Sequence, residues 1–234
     1  MDSFKNMIES SMAKVGKEVA AKVNNSTVLG LGSGSAVAKF AKALGDRVKS
    51  GELHDVKVVP SSMQAWLLIK ENSLALYSDS HCPASVDLAV DGADQVSLET
   101  RAMIKGGGGA LLREKIILSS SNESLILIDS SKVVTKLERS VPIEVTQFAF
   151  ETVQEVLKKS FHASPSLRKL EKGYPYFTES GNLIFDCTFE NGINEPKDLE
   201  RSIKSIPGVV EAGIFTCRID KFYVGSEEGK LVTY

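Results

Sequence analysis

Apolar side chains at Met7, Ile8, Met12, Val15, Val19 and Val23 recur at helical spacing against a polar opposite face, which predicts a helix over residues 3–23. Residues 27–31 form a short apolar run closed by Gly32-Ser33-Gly34-Ser35, the signature of a buried strand entering a loop. A helical pattern resumes over 36–48. A strand at 56–59 is stopped by Pro60, Ser61-Ser62 cap a helix at 63–72, and strands follow at 74–77 and 86–90. A helix at 110–119 is entered from a run of four glycines, and a strand at 125–128 ends in Asp129-Ser130-Ser131-Lys132. This alternation predicts an α/β fold: a doubly wound, mostly parallel, Rossmann-like sheet.

The rhythm changes after Pro142. Residues 143–145 read as strand, 147–162 as helix and 166–170 as strand. Segments 176–178 and 183–189 flank Glu179-Ser180-Gly181-Asn182 and predict a hairpin. Pro196 opens a helix at 196–205, and 209–214 is a further strand. The order β-α-β-β-α-β predicts a smaller α+β, ferredoxin-like domain over 141–215. Strands at 222–225 and 231–233 then return to the first domain, so that 1–140 and 216–234 form the larger, catalytic one.

The chain has 234 residues, enough to bury a sizeable core in one or two domains. Its formal net charge of −2 leaves no basic excess for a nucleic-acid backbone, which argues against that partner. No apolar run approaches the roughly 18–20 residues of a membrane helix. The start MDSFKNMIES has neither the basic-then-apolar pattern of a secretory signal nor the arginine of a transit peptide. The expected compartment is therefore the cytoplasm, with a plastid, after removal of a transit peptide, as the alternative. Cys82, Cys187 and Cys217 show no C-x-x-C and read as small hydrophobes in a reducing compartment. His54, His81 and His162 share no ligand spacing, so no metal site is expected.

The chemistry concentrates between Asp91 and Lys115. Asp91-Gly92-Ala93-Asp94 closes an apolar strand, Lys105 precedes Gly106–Gly109, and Glu114 lies in the first turn of a helix between Arg113 and Lys115. Each piece has a bland reading: a turn, a flexible loop, an acid complementing a helix dipole. Together at one sheet edge they are the parts for moving protons on a small anionic substrate. Gly30-Leu31-Gly32-Ser33-Gly34-Ser35 suggests a dinucleotide loop, but Ser35 stands where the third glycine belongs and the next strand ends without an acid. A single phosphate at a helix N-terminus fits better, and a plain glycine turn remains the alternative.

These pieces resemble the type A family of ribose-5-phosphate isomerases. The matching stretches are LGLGSGSA at 29–36, DLAVDGADQV at 87–96, MIKGGGGALLREKII at 103–117, IDSSK at 128–132, VPIEV at 141–145, ESGNLIFD at 179–186 and IPGVVEAGIF at 206–215. The resemblance implies an aldose–ketose isomerase of the non-oxidative pentose phosphate pathway, without metal or organic cofactor, in a homodimer. It implies Glu114 as the base that carries a proton between C2 and C1 through an ene-diolate. Asp91 and Asp94 would handle the oxygen protons, and Lys105 would face the developing charge. Ser33, Gly34, Ser35, Gly106, Gly107 and Lys132 would bind the sugar phosphate.

The chain departs from the family pattern at the phosphate end. Ala36 replaces a usual threonine, Met12-Ala13 a usual lysine pair, and Gln95 and Leu112 also differ. The departures support an alternative: a catalytically weak, sugar-phosphate-binding relative. A hexosamine-phosphate deaminase would need a histidine motif and a CoA transferase a glutamate nucleophile in its own context, and neither pattern is present.

Overall fold

The computed structural model describes residues 2–226 and 230–234, with side chains from residue 7 onward. The chain divides into two compact units. The first comprises Met1–Gly92, Arg113–Lys132 and Arg218–Tyr234, the second Ala93–Leu112 and Val133–Cys217.

The first unit is built on a seven-stranded sheet. Its spatial order is Leu231–Thr233, Lys221–Gly225, Ser121–Asp129, Val86–Gly92, Val28–Leu31, Lys57–Pro60 and Ala75–Leu76. Every neighbouring pair is parallel except the first, which is antiparallel. Leu29, Leu31, Val58, Leu88, Val90, Leu125 and Leu127 are buried in one cluster with Val15 and Val19 of the helix Asp2–Ala20 and Phe40 and Leu44 of the helix Ser35–Lys49. Strands this apolar suit a sheet covered by helices. From Val28–Leu31 the chain moves outward to Lys57–Pro60 and Ala75–Leu76. It then returns to lay Val86–Gly92 on the other side of Val28–Leu31. Such a reversal opens a crevice at the carboxyl ends of the two central strands.

The second unit carries a four-stranded antiparallel sheet in the order Ala163–Leu167, Leu183–Phe189, Val141–Val145, Val209–Ala212. With helices Phe150–Phe161 and Pro196–Lys204 this is the β-α-β-β-α-β arrangement expected. Val141, Ile143, Val145, Phe185 and Cys187 pack with Val153, Leu157 and Ile203 of the helices.

Several local expectations are corrected. The strand expected at 166–170 lies at Ala163–Leu167, and it takes up Leu183–Phe189 over five residue pairs. Residues 176–178 are therefore no hairpin arm. The Thr178 amide donates to Asn182 and the Gly181 amide to Thr178, so the backbone there is committed to a turn. The helix expected at 147–162 begins as a 3-10 turn, Gln147–Ala149, and stops where His162 adopts φ 50°. The strand at 209–214 breaks at Gly213, whose amide donates to Pro142 and whose carbonyl accepts from Lys105. Three short strands went unread: Gln95–Ser97, Ala102–Ile104 and Val133–Val134, which with Ile214–Phe215 form a small third sheet in the second unit. For that reason 93–112 and 133–140 group with the second unit rather than the first.

Candidate active site

Val86–Gly92 runs two residues past its predicted end, so Asp91 belongs to the strand itself and is buried. Its Oδ1 accepts from the Gly92 amide at 2.7 Å and from the Ser33 amide at 3.3 Å. Gly32 makes that approach possible: a Cβ there would fall within the Asp91 carboxylate. Glycine is needed at this position for space. At Gly34, with φ 98° and no close neighbour, it is needed for the turn.

Glu114 sits in the first turn of the helix Leu111–Ser120 and is 3% exposed. The Ser33 hydroxyl donates to its Oε1 at 2.6 Å. Gly32, Asp91, Glu114 and Ser61 line one tight pocket. Two carboxylates thus lie side by side at the strand ends. Ser33 touches both, one through its backbone and one through its side chain.

Gly34 is the N-cap of the helix Ser35–Lys49, whose first turn holds no acid. Its amide donates to Gln64 Oε1 at 2.9 Å. Ser35 opens the helix and is exposed. Lys132 closes the 3-10 turn after Ser121–Asp129, and its Nζ lies 4.0 Å from Asp129 Oδ2. A helix N-terminus and the lysine loop thus sit at the carboxyl ends of strands of one sheet, the ingredients of an anion cradle. Met12 cannot join it, because its side chain is buried in the core against the strand Lys221–Gly225. Ala36 is buried as well.

In the second unit, Asp94 and the glycine loop form a hydrogen-bonded group. Asp94 Oδ2 accepts from the Gly107 amide at 2.8 Å, and the Asp94 amide donates to the Ile104 carbonyl. Lys105 is 3% exposed, with Nζ 5.5 Å from the centre of the Phe215 ring, a cation held over an aromatic face. Gly106 is buried and Gly107 exposed. Arg168 Nη1 donates to the Gly106 and Gly107 carbonyls at 2.9 and 3.1 Å, and Tyr176 Oη to the Gly108 carbonyl at 3.1 Å. Burial pushes the Tyr176 hydroxyl above its ordinary pKa, although the nearby Arg168 guanidinium opposes this. The phenol therefore stays a proton donor at neutral pH.

Within the first unit the structure brings Ser33, Asp91 and Glu114 together. Within the second it joins Asp94 to Gly107. Gln64, Arg168 and Tyr176 were missed by sequence reasoning. Each acts on backbone at least 30 positions away, and no local pattern marks them. Among the described residues no group of three His, Cys, Asp or Glu side chains converges as a metal site would, and no helix is long and apolar enough to cross a membrane.

The profile of the ribose 5-phosphate isomerase A (phosphoriboisomerase A) family matches residues 57–229. The chain is 39% identical over 226 residues to ribose-5-phosphate isomerase A of Prochlorococcus marinus strain MIT 9312, covering 95% of this chain and 94% of that one. It is 41% identical over 214 residues to ribose-5-phosphate isomerase A of Thermosynechococcus vestitus, covering 90% and 89%. Among solved structures, ribose 5-phosphate isomerase A from Methanocaldococcus jannaschii matches with a TM-score of 0.89 at 37% identity, covering 97% of this chain and 98% of that one. A D-ribose-5-phosphate isomerase in complex with phospho-erythronic acid matches with a TM-score of 0.88 at 38% identity, covering 97% of each.

Proposed function

Because the chain belongs to the ribose 5-phosphate isomerase A family, we propose that it interconverts D-ribose 5-phosphate and D-ribulose 5-phosphate through an ene-diolate. The single observation that carries this reading is the buried Glu114 carboxylate, held by the Ser33 hydroxyl in the tight pocket that Asp91 also lines. A fixed carboxylate screened from bulk water is what proton removal beside a carbonyl requires. Glu114 takes the proton from C2 of the opened aldose and returns it at C1. Asp91 and Asp94 exchange the hydroxyl protons during ring opening and isomerisation. Lys105 and the amides of Gly106 and Gly107 offset the negative charge that grows on oxygen in the ene-diolate.

Gly34, Ser35 and Lys132 hold the phosphate in this proposal, while Ser33, expected in the same cradle, gives its hydroxyl to Glu114. Phosphate binding by a helix N-terminus uses amide donors and the helix dipole, which supports the cradle even with Ala36 and Met12 in place of polar residues. The complex of a relative with phospho-erythronic acid supports a phosphorylated ligand. The same reading makes the protein a cytoplasmic homodimer, and sedimentation of the purified chain tests the dimer.

A direct assay of ribulose 5-phosphate formation, run on wild type and Glu114→Gln, tests the function. Glu114→Gln is expected to lose about 10²- to 10⁴-fold in kcat with little change in KM. Equal turnover in the two proteins would remove Glu114 from its role. Tight binding of ribose 5-phosphate without turnover by the wild type would favour the catalytically weak relative, the reading that buried Met12 and Ala36 support.

A further inference from the structure

The Gly106–Gly107 peptide group lies between two opposite charges. Its carbonyl oxygen accepts from Arg168 Nη1 at 2.9 Å, and its N–H donates to Asp94 Oδ2 at 2.8 Å. In a trans peptide the C=O and N–H point in opposite directions, so the guanidinium and the carboxylate stand on opposite sides of one amide. The rest of the guanidinium is committed as well. Nε donates to Asp186 Oδ2 at 2.9 Å and Nη2 to Asp186 Oδ1, a two-pronged pair that fixes the plane of the fork. Asp186 lies on the strand Leu183–Phe189, so its short side chain ties the fork to the sheet.

We propose that Arg168 is a positioning residue for Asp94, acting through the single peptide group between Gly106 and Gly107. This rests on the assignment of Asp94 to the reaction. A cation on the carbonyl polarises the amide and strengthens its N–H as a donor, because linked hydrogen bonds reinforce one another in a partly buried setting. The same contact keeps the peptide plane from turning. Gly106 and Gly107 have no side chains to restrict rotation, and Gly106 already has φ 98°. Without the guanidinium, the Gly107 N–H and the Asp94 carboxylate it holds lose their fixed direction. The loop gains a second stay two peptides on, where Tyr176 Oη donates to the Gly108 carbonyl, not to the Gly106–Gly107 peptide.

The test compares Arg168→Met, Arg168→Lys, Asp94→Asn and the double variant Arg168→Met/Asp94→Asn. Arg168→Met is expected to lower kcat about 10- to 100-fold with KM nearly unchanged, the scale of a misplaced reacting group. Arg168→Lys remains impaired, since one ammonium cannot hold two carbonyls and a carboxylate in one plane. In the Asp94→Asn background, adding Arg168→Met costs little further, because both changes break one chain. Fully additive losses would overturn the proposal. If Asp94→Asn alone keeps wild-type turnover, the assignment of Asp94 fails, and the relay is then judged on the Gly107 amide signal in ¹H–¹⁵N spectra. Both Arg168→Met and Asp94→Asn should move that signal, and a signal that ignores Arg168→Met would overturn the relay. Should Arg168→Met unfold, Asp186→Asn loosens the same fork with the guanidinium retained, and unchanged kcat in that folded variant would also refute the proposal.

Discussion

The hydroxyl of Ser33 and the carboxylate of Glu114 meet at 2.6 Å, although 81 positions separate them in the chain. One residue comes from the loop after the first strand of the sheet, the other from the first turn of a helix at the far side of the sequence motif. In the cradle expected from sequence Ser33 belongs to the phosphate. Its hydroxyl donates to Glu114, the proposed base. Ser33→Ala is therefore expected to lower kcat by about 10- to 100-fold, the scale of a lost hydrogen bond to a charged group. A rise in KM with kcat intact would return Ser33 to the phosphate.

Ser35 provides the contrast. It is exposed at the start of the helix Ser35–Lys49. Ser35→Ala should raise KM for ribose 5-phosphate about 2- to 10-fold and leave kcat near its wild-type value. Steady-state kinetics over a range of substrate concentrations separates the two constants. An unchanged KM would take Ser35 out of the cradle.

Gly32 faces a different constraint. Any side chain there collides with the Asp91 carboxylate. Gly32→Ala must displace Asp91 or the end of the strand Val28–Leu31, at a cost of about 1–3 kcal/mol in stability. Turnover should fall with it. Denaturant melting alongside the isomerase assay checks both, and a variant as stable and active as wild type would show that the Asp91 position is not fixed.

Asp220 predicts a dependence on pH that is unrelated to catalysis. Burial alone would raise its carboxyl, but the Ser124 amide and hydroxyl and the Arg218 guanidinium outweigh burial and hold it below the usual carboxylate range. A carboxylate lowered on folding contributes stability above its unfolded pKa of about 4 and loses that contribution as pH falls through the folded value. Asp220→Asn should therefore be less stable than wild type at pH 7, and the difference should shrink below about pH 4. Urea titrations at pH 7 and pH 3.5 measure it. A difference that stays constant across that range would contradict the assignment.

Amino-acid order alone determined most of the elements, because their causes are local. Apolar spacing gave the helix that buries Val15 and Val19, Ser62 capped the helix Met63–Glu71 by accepting from Ala65, and alternation of strand and helix foretold the parallel sheet. It also marked Asp91, Asp94, Lys105 and Glu114, since charged groups beside glycines stand out in an otherwise apolar stretch. Tertiary structure alone decided what those groups touch. That Gly32 is glycine to admit Asp91, that Ser33 holds Glu114, and that Arg168 grips the Gly106–Gly107 peptide are contacts between distant segments. Short strands such as Gln95–Ser97 and Ala102–Ile104 belong with them, for two or three residues carry too little periodicity and gain their order only from the partners beside them.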